Sequence, residues 1–282
     1  MRTLGQRFLP KILSVGLIVF ASGCAAGCPH KAAAPVSVTR EDAARAVETA
    51  HEGDLAFRRK DYYAALIKYL DAARLNPNSD NFANRLGITY AQLKYYEQAR
   101  QAFQRAIALN PKFSYAFNNL GSVFFAQRNL KKAEACFKKA ISLKGDEASF
   151  HMNLGSFYIE KKKADKAMAE FRKGFALDPQ ILSKTSAVSL TGGGSTSSLM
   201  EKYYFAARLY ASAGQVESTI DSLKQAIDNG FSKIDMVEKE RDFDPIRQDA
   251  RFEEFLKNAS LLIRLRAKVG LPNAEAGPLP NN

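Results

Sequence analysis

One constellation of residues returns along this chain every 34 positions without losing phase. In residues 81–111 it is Leu86, Gly87, Tyr90, Ala99, Phe103, Ala106 and Pro111, with Ala83 at its head. One period on it is Phe117, Leu120, Gly121, Phe124, Ala133, Phe137 and Ala140, and then His151, Leu154, Gly155, Tyr158, Ala167, Phe171 and Pro179. One period back it is Gly53, Ala65, Tyr69, Ala72 and Pro77. The prolines keep the same frame, with Gly145 in the place where one is missing. A repeat of this length is a small structural unit that cannot bury its apolar surface alone and relies on stacked neighbours.

Within each unit the large residues fall at helical intervals, which predicts two antiparallel helices per copy. Tyr90, Phe124 and Tyr158 supply apolar surface from the first helix, and Phe103, Phe137 and Phe171 supply it from the second. A glycine inside a helix costs about 1 kcal/mol against alanine. The in-phase return of Gly87, Gly121 and Gly155 therefore predicts a backbone approach too close for a side chain, with Ala99, Ala133 and Ala167 as small partners. Pro111 and Pro179 cannot continue a helix, so the second helices should stop after Asn110 and Asp178.

This order of residues resembles the tetratricopeptide repeat (TPR) family, with Ala83 where the family has its first Trp. The resemblance implies an all-α solenoid of helix hairpins, wound as a right-handed superhelix whose concave surface is the usual binding face. Four copies are expected, over 46–79, 80–113, 114–147 and 148–181. The first is degenerate, with Glu52 in the place of Leu86, as suits a terminal repeat facing water. After Pro179 the phase breaks at a Gly- and Ser-rich insertion, 182–199, which contains Gly192, Gly193 and Gly194. The frame resumes with Tyr203, Ala207, Tyr210, Gly214, Leu223 and Ala226 as a fifth, divergent copy. Its exit resembles the closing segment of bacterial TPR proteins, which implies short helices burying Phe243, Ile246, Phe252 and Phe255 and a C-terminal helical cap over 200–268. The tail 269–282, with Pro272, Pro278 and Pro280, is expected to be disordered.

The amino terminus reads as an export signal. Arg2, Arg7 and Lys11 precede the apolar run 12–21, too short to span a membrane comfortably but long enough for a signal peptide over 1–23. Ala21, Ser22, Gly23 and Cys24 resemble the lipobox of bacterial lipoproteins, which implies acylation of Cys24, a membrane anchor through that lipid and a periplasmic location; an ordinary cleavage site with Cys24 incidental is the alternative. Residues 24–38, rich in Ala and Pro, then form a tether. Thr39 with Asp42 three residues on resembles a capping box opening the first helix.

Three cysteines, Cys24, Cys28 and Cys136, are too few for a disulfide scaffold, and Cys136 is expected as a buried free thiol. Cys24, Cys28 and His30 lack a fourth ligand, so no metal and no cofactor are expected. The leader carries three of the 41 basic residues and no acid, so its removal lowers the formal net charge from +12 to +9. Outside the cytoplasm such a surface meets anionic lipid headgroups, cell-wall polymers or acidic proteins, and no nucleic acid. Lys131, Lys132, Lys138, Lys139 and the run 161–163 carry much of this charge, on turns and second helices.

No catalytic constellation is visible: His30 lies on the tether, His51 in the first helix and His151 at a core-facing repeat position, so the chain reads as a non-enzyme. The binding surface is expected on the first helices, at Asn81, Asn84, Arg85 and Ile88, then Tyr115, Asn118, Asn119 and Ser122, then Met152, Asn153 and Ser156. In TPR arrays similar to that of O-linked N-acetylglucosamine transferase, Asn at the position of Asn119 and Asn153 hydrogen-bonds the backbone of an extended peptide, a task its donor and acceptor suit. The alternative is that these asparagines merely solvate an exposed face. Ala50 and Asp54 stand where the Lys and Asn of a carboxylate clamp would be, which argues against a free C-terminal ligand. The reading is an envelope adaptor that docks a segment of another envelope protein in its groove, by resemblance to TPR lipoproteins such as type IV pilotins and adaptors of periplasmic proteases. A cell-wall or assembly scaffold binding anionic polymer through its basic face is the alternative. Oligomeric state is not fixed by any of these residues.

Overall fold

The computed structural model describes residues 36–182 and 196–269. The expected signal peptide, Cys24, the Cys24, Cys28 and His30 group, most of the tether, residues 183–195 of the insertion and residues 270–282 of the tail lie outside these residues; the last four residues of the expected insertion, 196–199, instead open a helix.

Four hairpins follow in order: α1 (Arg40–Arg58) with α2 (Tyr62–Leu75), α3 (Asp80–Gln92) with α4 (Tyr96–Leu109), α5 (Ser114–Ala126) with α6 (Leu130–Leu143), and α7 (Ala148–Glu160) with α8 (Ala164–Leu177). A fifth pairs α9 (Thr196–Ser212) with α10 (Val216–Asp228). A short α11 (Ile234–Lys239), a 3-10 turn (Arg241–Ile246) and α12 (Ala250–Val269) complete the described chain. The fold is an all-α solenoid of successive helix hairpins, and the described residues contain no strand.

The ends of the helices follow local chemistry. Thr39 caps α1: its Oγ1 accepts the Asp42 N–H at 3.0 Å and donates to the Asp42 carboxylate at 2.8 Å. Asn76, Asn110, Lys144 and Asp178 are the C-caps of α2, α4, α6 and α8, so the helices end one residue before the limit that the prolines set. Between the two helices of each hairpin the chain turns through the left-handed region, at Lys60, Lys94, Arg128 and Lys162, with φ of 62°, 62°, 61° and 53°. The fifth hairpin uses Gly214 there, with φ 72°. These four basic residues recur every 34 positions and were not singled out by the packing pattern, because the turn constrains their backbone and leaves their side chains in water.

The repeat glycines serve a different contact from the expected one. A Cβ on Gly87 would meet the ring of Phe103 at 2.5 Å, one on Gly121 the ring of Phe137 at 2.8 Å, and one on Gly155 the ring of Phe171 at 2.5 Å. The close approach is therefore first to the aromatic side chain of the second helix, and at Gly121 also to its backbone, with the Ala133 carbonyl oxygen 3.3 Å from such a Cβ. In the degenerate first copy the same relation holds between Gly53 and Tyr69, at 2.7 Å.

One apolar core runs along the repeats through Phe103, Leu120, Phe137, Leu154, Phe157 and Phe171. A second, around Leu223, Phe231, Val237, Phe243, Ile246 and Phe252, holds the cap together. Helix α9 joins them, giving Phe205 and Leu209 to the first and Tyr204, Ala207 and Ala211 to the second. Ion pairs reinforce the junction: Asp242 of the 3-10 turn accepts from Arg172 of α8 and from Arg208 of α9, both at 2.7 Å. Among the described residues no helix is long and apolar enough to cross a membrane.

Candidate functional site

The first helices α3, α5 and α7 lie side by side, and a chain of asparagine amides crosses them. Asn153 Nδ2 donates to Asn118 Oδ1 at 3.0 Å, and Asn119 Nδ2 donates to Asn84 Oδ1 at 3.1 Å. Asn118 Nδ2 reaches Asn119 Oδ1 at 3.5 Å, which links the two rungs. Each rung joins residues 35 apart, one more than the repeat, so α5 uses Asn119 to bond backwards and its neighbour Asn118 to bond forwards. Asn84, Asn118 and Asn153 are buried and Asn119 is half-buried. The asparagines thus do not simply solvate an exposed face. Buried amides need partners, and here they satisfy one another.

Arg85 stands at the repeat position of Asn119 and Asn153, and its partner differs. Its guanidinium pairs with Asp54 of α1 at 2.5 Å, and Asp54 also accepts the Tyr69 hydroxyl at 2.7 Å. Burial and this bond to Asp54 push the Tyr69 phenol above its ordinary range. Because α1 has Ala50 where α3 has Asn84, no amide is available for a rung, and a charged pair takes its place.

A cleft of about 130 Å³ opens between α3 and α5. Ile88, Ala91 and Gln92 line it from α3, and Asn119, Ser122 and Ala126 from α5. Three of the residues expected from the sequence, Ile88, Asn119 and Ser122, are therefore brought together. Asn119 lines the cleft and has a second amide hydrogen beyond the one it gives to Asn84. Ala91, Gln92 and Ala126 escaped the sequence reading; their signal was only their place one turn beyond Ile88 and Ser122 on the same helix faces.

The other expected residues are placed differently. Met152, Asn153 and Ser156 are buried in α7, along with most of that helix. Tyr115 is exposed at the edge and already engaged: Lys144 Nζ donates to its hydroxyl at 2.8 Å, and that hydroxyl donates to Glu147 at 2.5 Å. Asn81 is exposed, with its backbone N–H on Asp80. His151, expected in the core, is buried there with ring nitrogens 2.7 Å from Glu170 and 3.0 Å from the Gly145 carbonyl oxygen. Burial pushes the Glu170 carboxyl up, but bonds to Lys173 and His151 outweigh it and hold the group below the ordinary glutamate range. Cys136 is a free, partly buried thiol, pushed up to about 11 by burial. Among the described residues no three His, Cys, Asp or Glu side chains are grouped to hold a metal ion.

The model of the family described as tetratricopeptide repeat matches residues 84–148 and 118–180, the stretch that carries the amide chain and the cleft. Residues 84–180 are tetratricopeptide repeats. No curated protein matches this TPR sequence. Among solved structures it is similar to the TPR protein TTC0263 of Thermus thermophilus, at 18% identity and a TM-score of 0.49 over 77% of this chain and 99% of that one. It is also similar to MamA of Desulfovibrio magneticus RS-1, at 17% identity and a TM-score of 0.45 over 67% and 97%. A third likeness is to the first TPR of Spaghetti (RPAP3), solved bound to the HSP90 peptide SRMEEVD, at 20% identity and a TM-score of 0.39 over 45% and 95%.

Proposed function

We propose that this TPR protein is a non-enzymatic adaptor whose groove docks an extended segment of a partner protein, with one partner side chain seated between α3 and α5. The observation that carries the reading is the size of the cleft. About 130 Å³ is well below the ~300–1,000 Å³ of small-molecule sites. Its chemistry agrees: Ile88, Ala91 and Ala126 offer apolar wall, while Asn119 Nδ2 has a second hydrogen that could be donated to a peptide carbonyl oxygen.

The place of action in this proposal is the bacterial envelope. The basic start, the apolar run 12–21 and the lipobox-like Ala21 to Cys24 support export and a lipid anchor at Cys24, which would present the groove to envelope partners. Mass spectrometry of the mature protein tests this part by itself: an acylated amino-terminal Cys24 is expected, and a free amino terminus beyond Cys24 contradicts it.

Pulldown from native envelope with wild type beside Asn119→Ala and Ala126→Trp tests the groove. Ala126 is exposed at the cleft mouth, so a Trp there fills the cleft without entering the core. Both variants should lose the same partner bands, and equal capture by all three proteins contradicts the proposal.

A further inference from the structure

The last described helix, α12, carries an outward face that combines exposed leucines with cations. Its inward side packs Phe252, Ala259 and Ile263 into the cap core. Away from that core Leu261, Leu262 and Leu265 remain 56%, 42% and 49% exposed. At one turn's spacing beside them run Lys257, Arg264 and Lys268, all exposed and none ion-paired among the described residues. Arg266, on the inward side, pairs with Asp228 at 3.7 Å. Glu253 and Glu254 lie in its first turns, and from Phe255 to Val269 there is no acidic residue. Helix α2 also exposes apolar residues, Tyr63, Ile67 and Leu70, but its Lys68 and Arg74 are paired with Glu52 and Asp71.

We infer that the outward face of α12 is a contact for an anionic membrane surface, with the three leucines entering the headgroup boundary and the three cations pairing with lipid phosphates. Leucines in water beside unpaired cations are the composition an interfacial helix requires. A second copy does not fit, because an antiparallel pair of these faces sets Lys257 against Lys268 and repels. A partner helix is held by a groove between helices. Here the exposed stripe belongs to a single helix, a surface that a fluid lipid boundary can meet. Cationic side chains near an anionic leaflet each contribute about fivefold to partition, and half-exposed leucines add a comparable factor. The contact needs neither the groove nor the Cys24 lipid, so its failure and theirs are distinguishable.

The chain has no Trp, so Leu265→Trp is a clean local reporter. In the mature chain from residue 24 carrying Cys24→Ser, its emission should shift to the blue with vesicles of phosphatidylcholine mixed with phosphatidylglycerol, and not with phosphatidylcholine alone. Gln101→Trp, on the polar outer face of α4, should not shift with either. Reading the same Leu265→Trp signal, Leu261→Ser with Leu262→Ser should weaken partition at least about tenfold. Lys257→Glu with Arg264→Glu and Lys268→Glu should remove the preference for the anionic vesicles. These residues are exposed, and an unchanged circular dichroism spectrum checks that each variant folds. An unshifted Leu265→Trp emission overturns the inference, as does equal partition into both vesicle types. A reporter that shifts with an acidic amphipathic peptide but not with vesicles overturns it in favour of a protein partner.

Discussion

Gly87 and the ring of Phe103 occupy one space: a Cβ on the glycine would stand 2.5 Å from the ring carbon Cε1. The hairpin is held shut by an aromatic side chain filling the gap that glycine leaves, and the relation recurs from Gly53 with Tyr69 to Gly155 with Phe171.

Gly87→Ala should therefore destabilise the protein by about 1–3 kcal/mol, even though alanine is the better helix former by about 1 kcal/mol. Urea denaturation measures it. Combining the change with Phe103→Leu should recover part of the loss, since the clash is with the ring; a purely additive double variant would show that it is not.

Lys94 sits in the left-handed region with φ 62°, where a residue with a Cβ is strained by about 1 kcal/mol. Lys94→Gly should raise the melting temperature, and Lys94→Ala should not. Gly214→Lys, at the equivalent turn of the fifth hairpin, should lower it.

Glu170 titrates below the ordinary glutamate range, against its burial, because Lys173 and His151 bond to its charged form. A carboxylate lowered in the folded state adds stability at pH above the unfolded value, near 4.5, and loses it as pH falls through the folded value. Glu170→Gln should therefore cost stability at neutral pH and flatten the acid limb of the stability curve below pH about 4.5.

Cys136 is held as a thiol, up to about 11, by burial against the repeat core. At pH about 8 native protein should react with iodoacetamide at Cys136 far more slowly than urea-unfolded protein, with labelling of its tryptic peptide as the readout.

Repetition made the fold legible. Leu86, Gly87, Tyr90, Ala99 and Phe103 return in phase because each answers the same packing need, so their spacing alone implies paired helices. The identity of the contact at Gly87 was not legible, since spacing says that something is close but not whether it is backbone or ring. The site was legible in part. Asn84, Asn118, Asn119 and Asn153 stood out as polar residues on a packed helix, but the sequence could not say that they bond to one another. That depends on the stagger of adjacent first helices, which shifts each rung by one residue from the repeat. The αL turn at Lys94 left no mark either, because lysine is not the residue that such a backbone favours.

The central claim is that the cleft between α3 and α5 receives the partner. A photo-crosslinking amino acid in place of Gln92, at the cleft wall, beside one in place of Gln101 on the outer face of α4, tests it most directly in native envelope. The account predicts a discrete crosslinked species from position 92 that Ala126→Trp abolishes, and none from position 101. Crosslinks from position 101 alone, or a position-92 product that survives Ala126→Trp, would contradict it.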